Sequence, residues 1–186
     1  MTLPTPSQTV GPYFRIGLPD EGESHLVSPD DPDAIRVHGT VFDGEGAPVD
    51  DAVVEFWQAN RYGRYDHPED TREDVPLERG FSGFGRCATD ASGGYRFVTV
   101  KPGRVPHPGG GMQAPHIDVS VFARGLLKRV VTRIYFPDEA EANDSDPVLS
   151  SVEPERRAAL VAREEDGALR FDIHLQSDRE TPFFDL

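Results

Sequence analysis

The chain has 186 residues, 37% hydrophobic and 28% charged, a globular balance at a length where one core buries about 70% of the unfolded surface. Nineteen basic against thirty-three acidic residues give a net charge of -14, a field that repels phosphate backbones and anionic lipid and so argues against nucleic acid and membranes as partners. Cys87 is the lone cysteine, which excludes an internal disulfide and a thiolate metal cluster and fits a reducing cytosol.

The first residues, MTLPTPSQTVGPYF, lack the basic start and apolar stretch of a secretory signal, and no run reaches the roughly 18 apolar residues of a membrane span. A cytoplasmic protein is expected. Residues 1 to 34 carry six prolines and no sustained period, describing an irregular arm. Within it Val10, Tyr13, Phe14 and Ile16 are apolar enough to dock, so residues 5 to 18 read as an extended segment lying on the chain's own core or on a partner.

Alternation begins at Ile35, with Val37 and Val41 on one face and Arg36, His38 and Thr40 on the other, and it resumes over residues 52 to 58 after the turn-rich 43 to 48. These two strands read as a hairpin-like pair. Residues 59 to 82 are polar and irregular, a length that in compact domains marks a functional or disordered loop. Strands follow at 84 to 89 and 95 to 100, joined across DASGG, where Gly93 and Gly94 supply positive φ.

A second Pro/Gly-rich loop fills 103 to 113. Residues 116 to 122 then alternate, and 126 to 136 form a strand rich in β-branched and aromatic side chains, with Arg124 and Gly125 in the turn between. Residues 153 to 163 read as the one helix, Pro154 suiting its first position, and 169 to 175 as the last strand. Short strands separated by turns predict an all-β, antiparallel β-sandwich in one domain spanning 1–186.

Six scattered histidines (His25, His38, His67, His107, His116 and His174) show no two-imidazole metal spacing. On a strand, however, His116 and Asp118 share a face and offer one nitrogen and one carboxylate. Two ligands are not a site, and unless other loops converge on them the spacing reads as a hydrogen-bonded His and Asp pair on a half-buried strand. Five tyrosines raise a phenolate option, although ionising a phenol at neutral pH costs about 4 kcal/mol that a bound metal must supply. Tyr95 and Tyr135 sit where core or sheet residues belong. No nucleophile elbow, phosphate loop or dinucleotide fingerprint occurs. Arg124 is either an anion binder or a solvated turn residue.

Taken together, VHGTVFDGEGAPVDDAVVEFWQAN, GFGRCATDASGGYRFVTVKPG, APHIDVSVFARG and TRIYF resemble the body of the intradiol ring-cleaving dioxygenases, and TPSQTVGPYF resembles the start of the protocatechuate 3,4-dioxygenase chains. That resemblance implies a β-sandwich and a ferric ion held by two tyrosinates and two histidines. Here the first tyrosine is matched by Tyr65 and the first histidine by His116. Val105 stands at the second tyrosine, Asp118 at the second histidine, and Gln113 at an arginine three residues before the first histidine.

With two of four ligands gone, the resemblance points to an iron-free α chain paired with an iron-carrying β subunit in a hetero-oligomer. It implies that Thr9, Gly11, Pro12, Tyr13 and Arg124 line the partner's cleft, with Arg124 near the carboxylate of protocatechuate. The complex would then use O2 to open the ring to 3-carboxy-cis,cis-muconate. Two alternatives stay open: a self-sufficient iron enzyme recruiting Asp118 and Tyr62, and a non-enzymatic binding module of the transthyretin-like type.

Overall fold

The computed structural model describes residues 8–20 and 22–185, so the first part of the arm, 1–7, lies outside the described residues. The arm that follows is not extended: α1 (Pro12–Gly17) is a short helix with proline at its start, where the ring's fixed φ suits a first turn. It docks on the chain's own body. Phe14 lies 5.1 Å from the Phe122 ring, and Arg15 donates to the Thr89 carbonyl at 3.0 Å.

The body is two sheets. β1 (Ala34–Phe42), β2 (Val53–Trp57), β3 (Phe84–Ala88) and β4 (Gly94–Val100) follow in chain order, and β1 pairs β4 while β2 pairs β3, both antiparallel. The hairpin-like pairing of β1 with β2 is therefore corrected. Asp43 folds residues 43–47 into a turn by accepting from Glu45 and Ala47 N–H at 2.9 Å each, and the chain then crosses to the opposite sheet. Each strand has one apolar face, and two such faces are buried by stacking sheets rather than by pairing edges. The DASGG link crosses likewise, with Gly93 at positive φ and Gly94 not.

Beyond a two-residue hairpin of β5 (Val105–Pro106) and β6 (Met112–Gln113), β7 (His116–Phe122) and β8 (Val130–Tyr135) complete the second sheet in the order β3-β2-β7-β8. The inner faces share one core. Val37, Val41, Tyr95 and Phe97 meet Val54, Phe56, Ile117, Val119, Val121 and Ile134, and the Phe56 and Phe97 rings stack at 3.7 Å.

The C-terminal third departs most from expectation. Three short helices occur, α2 (Ala140–Asp144), α3 (Pro147–Ser150) and α4 (Pro154–Arg157), the last passing into a 3-10 turn at Ala158–Leu160. The expected helix over 153 to 163 stops early because its apolar residues are claimed by the sheet: Leu160 and Ala162 are buried, and Ala162 N–H donates to the Tyr135 carbonyl at 2.9 Å. β9 (Arg163–Glu165), β10 (Ala168–Arg170) and β11 (Ile173–His174) finish the first sheet. The last expected strand is thus interrupted at 171–172, and both halves run parallel to β1 within an otherwise antiparallel architecture. At the break Asp172 Oδ1 accepts the Thr40 N–H at 3.0 Å, restoring a ladder bond through a side chain.

Candidate functional site

Strand pairing places Trp57, Asp118 and Arg133 in one row across β2, β7 and β8, with His116 opposite Tyr135 in the next. Since partners in an antiparallel ladder share a face, these side chains project from the outer face of the second sheet. There the 59–82 loop and the β5–β6 hairpin cover them. Tyr65 stacks on Trp57 at 5.7 Å and 12°, and a cleft of about 580 Å³ is lined by Trp57, Tyr65, Asp70, Arg72, Val105 and Gln113, among others.

The long polar loop is ordered by its own side chains. Asn60 Oδ1 accepts from the N–H groups of Tyr62 and Arg64, and Arg61 binds Asp31 at 3.0 Å and Glu78 at 2.8 Å. Asp70 accepts the Tyr65 N–H at 2.9 Å, and the Arg72 guanidinium hydrogen-bonded to Asp70 pulls that carboxyl down to about 2. Backbone bonds missing from a loop are thereby supplied locally.

His116 is buried, and its Nδ1 lies 2.7 Å from the Ala114 carbonyl, which can only accept, so Nδ1 carries the proton and Nε2 the lone pair. Nε2 is buried without a hydrogen-bond partner, 3.8 Å from Asp118 Oδ2. Burial pushes the His116 pKa down, against the opposing pull of Asp118, and it pushes the Tyr65 phenol above its ordinary range, helped by Asp118. Both groups are neutral at pH 7.

The fit to the ferric ion that the resemblance implies can be judged on these donors. Tyr65, His116 and the remnant positions do converge, yet Val105 offers no phenol and Asp118 is already bonded to Arg133 Nε at 2.8 Å. Gln113 Oε1 accepts from the same guanidinium at 2.7 Å. Among the described residues no three His, Cys, Asp or Glu side chains group as metal ligands. One imidazole and one phenol do not fit a trivalent ion. Tyr62, the alternative donor, is 55% exposed and does not line the cleft.

The residues expected to serve a partner lie elsewhere. Thr9 Oγ1 accepts the Gly125 N–H at 2.8 Å, which ties the arm to the turn carrying Arg124, and Gly11 precedes α1, which Pro12 opens. Tyr13 on that helix is 84% exposed. Arg124 is largely exposed, and its NH1 engages Asp51 at 2.8 Å and Asp50 at 3.4 Å. This patch sits past the Phe122 end of β7, while His116 opens the other end, about 20 Å away along the strand at ~3.3 Å per residue.

Two contributors escaped the sequence reading. Arg133 meets Asp118 only through the β7–β8 register, and Asp146 is fully buried while accepting from Ala114, Val148 and Leu149 N–H groups and the Tyr135 hydroxyl. The Asp-Pro pair at 146–147 is a helix-start signal that could have found the second.

Comparison with known proteins agrees with this geometry. The profile of a family described as Dioxygenase matches residues 10–177. The alpha chain of protocatechuate 3,4-dioxygenase from Burkholderia cepacia is 44% identical over 199 residues, covering 98% of this chain and 97% of that one. The beta chain from the same organism is 42% identical, covering 80% and 66%. Among solved structures, the dioxygenase domain of a dioxygenase carbohydrate-binding protein fusion from Streptomyces sp. SirexAA-E has a TM-score of 0.57 at 28% identity, covering 94% and 99%. A family match over residues 10–177 and a relative 44% identical across 98% of the chain show that the chain belongs to the intradiol dioxygenases.

Proposed function

We propose that this chain is the α subunit of a protocatechuate 3,4-dioxygenase. In this reading it is a single cytoplasmic domain that carries no iron of its own and pairs with an iron-bearing β subunit in a hetero-oligomer. It lines the partner's cleft with Thr9, Gly11, Pro12, Tyr13 and Arg124. The relatives' two chain types support the pairing, since an alpha and a beta chain are both similar to this sequence.

The reading rests on the separation of two sites. The iron remnant lies at one end of β7 with an unsuitable donor set, and the Thr9–Arg124 patch lies at the other. The distance of this patch from its own chain's remnant supports a role at a different active site. Arg124 keeps its Nε and NH2 edge for a ligand, because the Asp50 and Asp51 contacts both use NH1, and exposed pairs of this kind hold weakly. A carboxylate gripped on that edge would orient a carboxylated catechol, while the tied arm helps to exclude water.

Purified alone, the chain is expected to be colourless and iron-free. Co-expressed with a β chain, it should form a complex that consumes O2 on protocatechuate and yields 3-carboxy-cis,cis-muconate. Stoichiometric iron with tyrosinate colour in the chain alone would overturn this reading.

A further inference from the structure

The strongest unassigned feature is the guanidinium at the centre of the remnant. Arg133 stands directly across the ladder from Asp118, its Nε 2.8 Å from Asp118 Oδ1 and NH1 2.7 Å from Gln113 Oε1. Only 18% of the side chain is exposed. It thus joins the residues that occupy two of the altered family positions, on the face shared by His116 and Tyr135 and beneath the cleft lined by Tyr65 and Val105.

We propose that Arg133 is the resident cation of this site, and that it, over and above the missing ligands, closes the chain to metal ions. The charge balance leads there. Among the groups facing the site from β7, β8, the 59–82 loop and the β5–β6 hairpin, Asp118 is the anion nearest His116 Nε2, and its charge is cancelled by Arg133. Asp70 is likewise matched by Arg72, and the buried Asp146 carboxylate is engaged by three backbone N–H groups and the Tyr135 hydroxyl. A metal ion entering beside His116 and Asp118 would lose its attracting carboxylate to an existing partner and meet a fixed like charge in a poorly solvated place. Restoring the absent ligands therefore does not restore metal binding while Arg133 remains.

The inference rests on the chain's being iron-free, and its test separates the two. Full-length native chain, V105Y/D118H and V105Y/D118H/R133Q are exposed to ferrous ion and air, desalted, and measured for iron content and tyrosinate-to-iron absorption. The triple variant is expected to hold at least about tenfold more iron than the double variant and to be coloured. Equal loading of the double variant, with the native chain empty, overturns the role of Arg133 alone, whereas iron in the native chain defeats the proposed function as well. Should the triple variant fail to fold, native chain and R133Q are compared by equilibrium dialysis with Co2+. R133Q is expected to bind about tenfold more tightly, through His116 and Asp118, and equal affinity would sink the idea.

Discussion

The Tyr135 hydroxyl donates to Asp146 Oδ1 at 3.1 Å, and that same oxygen caps α3 through the Val148 and Leu149 N–H groups at 2.8 and 2.7 Å. Oδ2 takes the Ala114 N–H at 2.7 Å, two residues before His116. One buried carboxylate thus joins a helix start, the entry to β7 and the end of β8. Asp146→Ala leaves three N–H groups without partners, two of them buried, and is expected to cost about 3 kcal/mol in urea unfolding. Asp146→Asn keeps one acceptor and should cost less. Tyr135→Phe removes a single bond and should cost about 1 kcal/mol. An Asp146→Ala loss no larger than that of Tyr135→Phe would contradict this network.

His116 makes stability depend on pH in a defined direction. Burial holds its folded pKa below the ordinary 6.5, so between those two values the unfolded chain binds the extra proton and the folded chain does not. Its contribution is therefore fully present above pH 6.5 and is lost as pH falls towards the folded value, with a slope of at most about 1.4 kcal/mol per pH unit. Replacing His116 with Gln should flatten the curve over that window. An unchanged slope, from denaturation midpoints at several pH values, would show that another group titrates there.

Gly39 faces the interruption between β10 and β11. A Cβ there would overlap the Phe171 carbonyl and touch the Tyr95 hydroxyl, which itself donates to that carbonyl at 2.5 Å. The obstructing atom is backbone, held on both sides, so it cannot yield as a flexible side chain would. Gly39→Ala is expected to destabilise by about 2–4 kcal/mol, while Gly46→Ala, in open space but at positive φ, should cost about 1 kcal/mol. Similar losses at both positions in thermal melts would argue against the close approach.

Strand existence was legible wherever one face is buried, because Val37 and Val41, or Ile117, Val119 and Val121, announce a period of two. Pairing was not. Whether β2 lies beside β1 or across the core is decided by which apolar faces need cover, and alternation alone is silent on that. The helices of residues 140–157 are one turn each, too short for a 3.6-residue period to emerge. Tyr65, Val105 and Gln113 were found through family motifs, and His116 and Asp118 already by their spacing on a strand. Arg133 needed the ladder register, which depends on where the turn at Arg124 and Gly125 is centred; starting β8 four residues early obscured it.

Arg124 supplies the most direct check on the proposed assembly. Its NH1 faces Asp51 on a turn pinned by Thr9, which leaves the Nε and NH2 edge turned to a ligand. If it grips the carboxylate of protocatechuate in the partner's cleft, Arg124→Gln in the αβ complex should raise KM for protocatechuate about tenfold. Turnover of catechol, which has no carboxylate, should scarcely change. Thr9→Val, which releases the Gly125 N–H, should move KM the same way by a smaller factor, because it loosens the turn without removing the charge. Equal loss on both substrates would mean that Arg124 holds the subunits together. In that case the salt dependence of αβ dissociation, rather than KM, would be altered by Arg124→Gln.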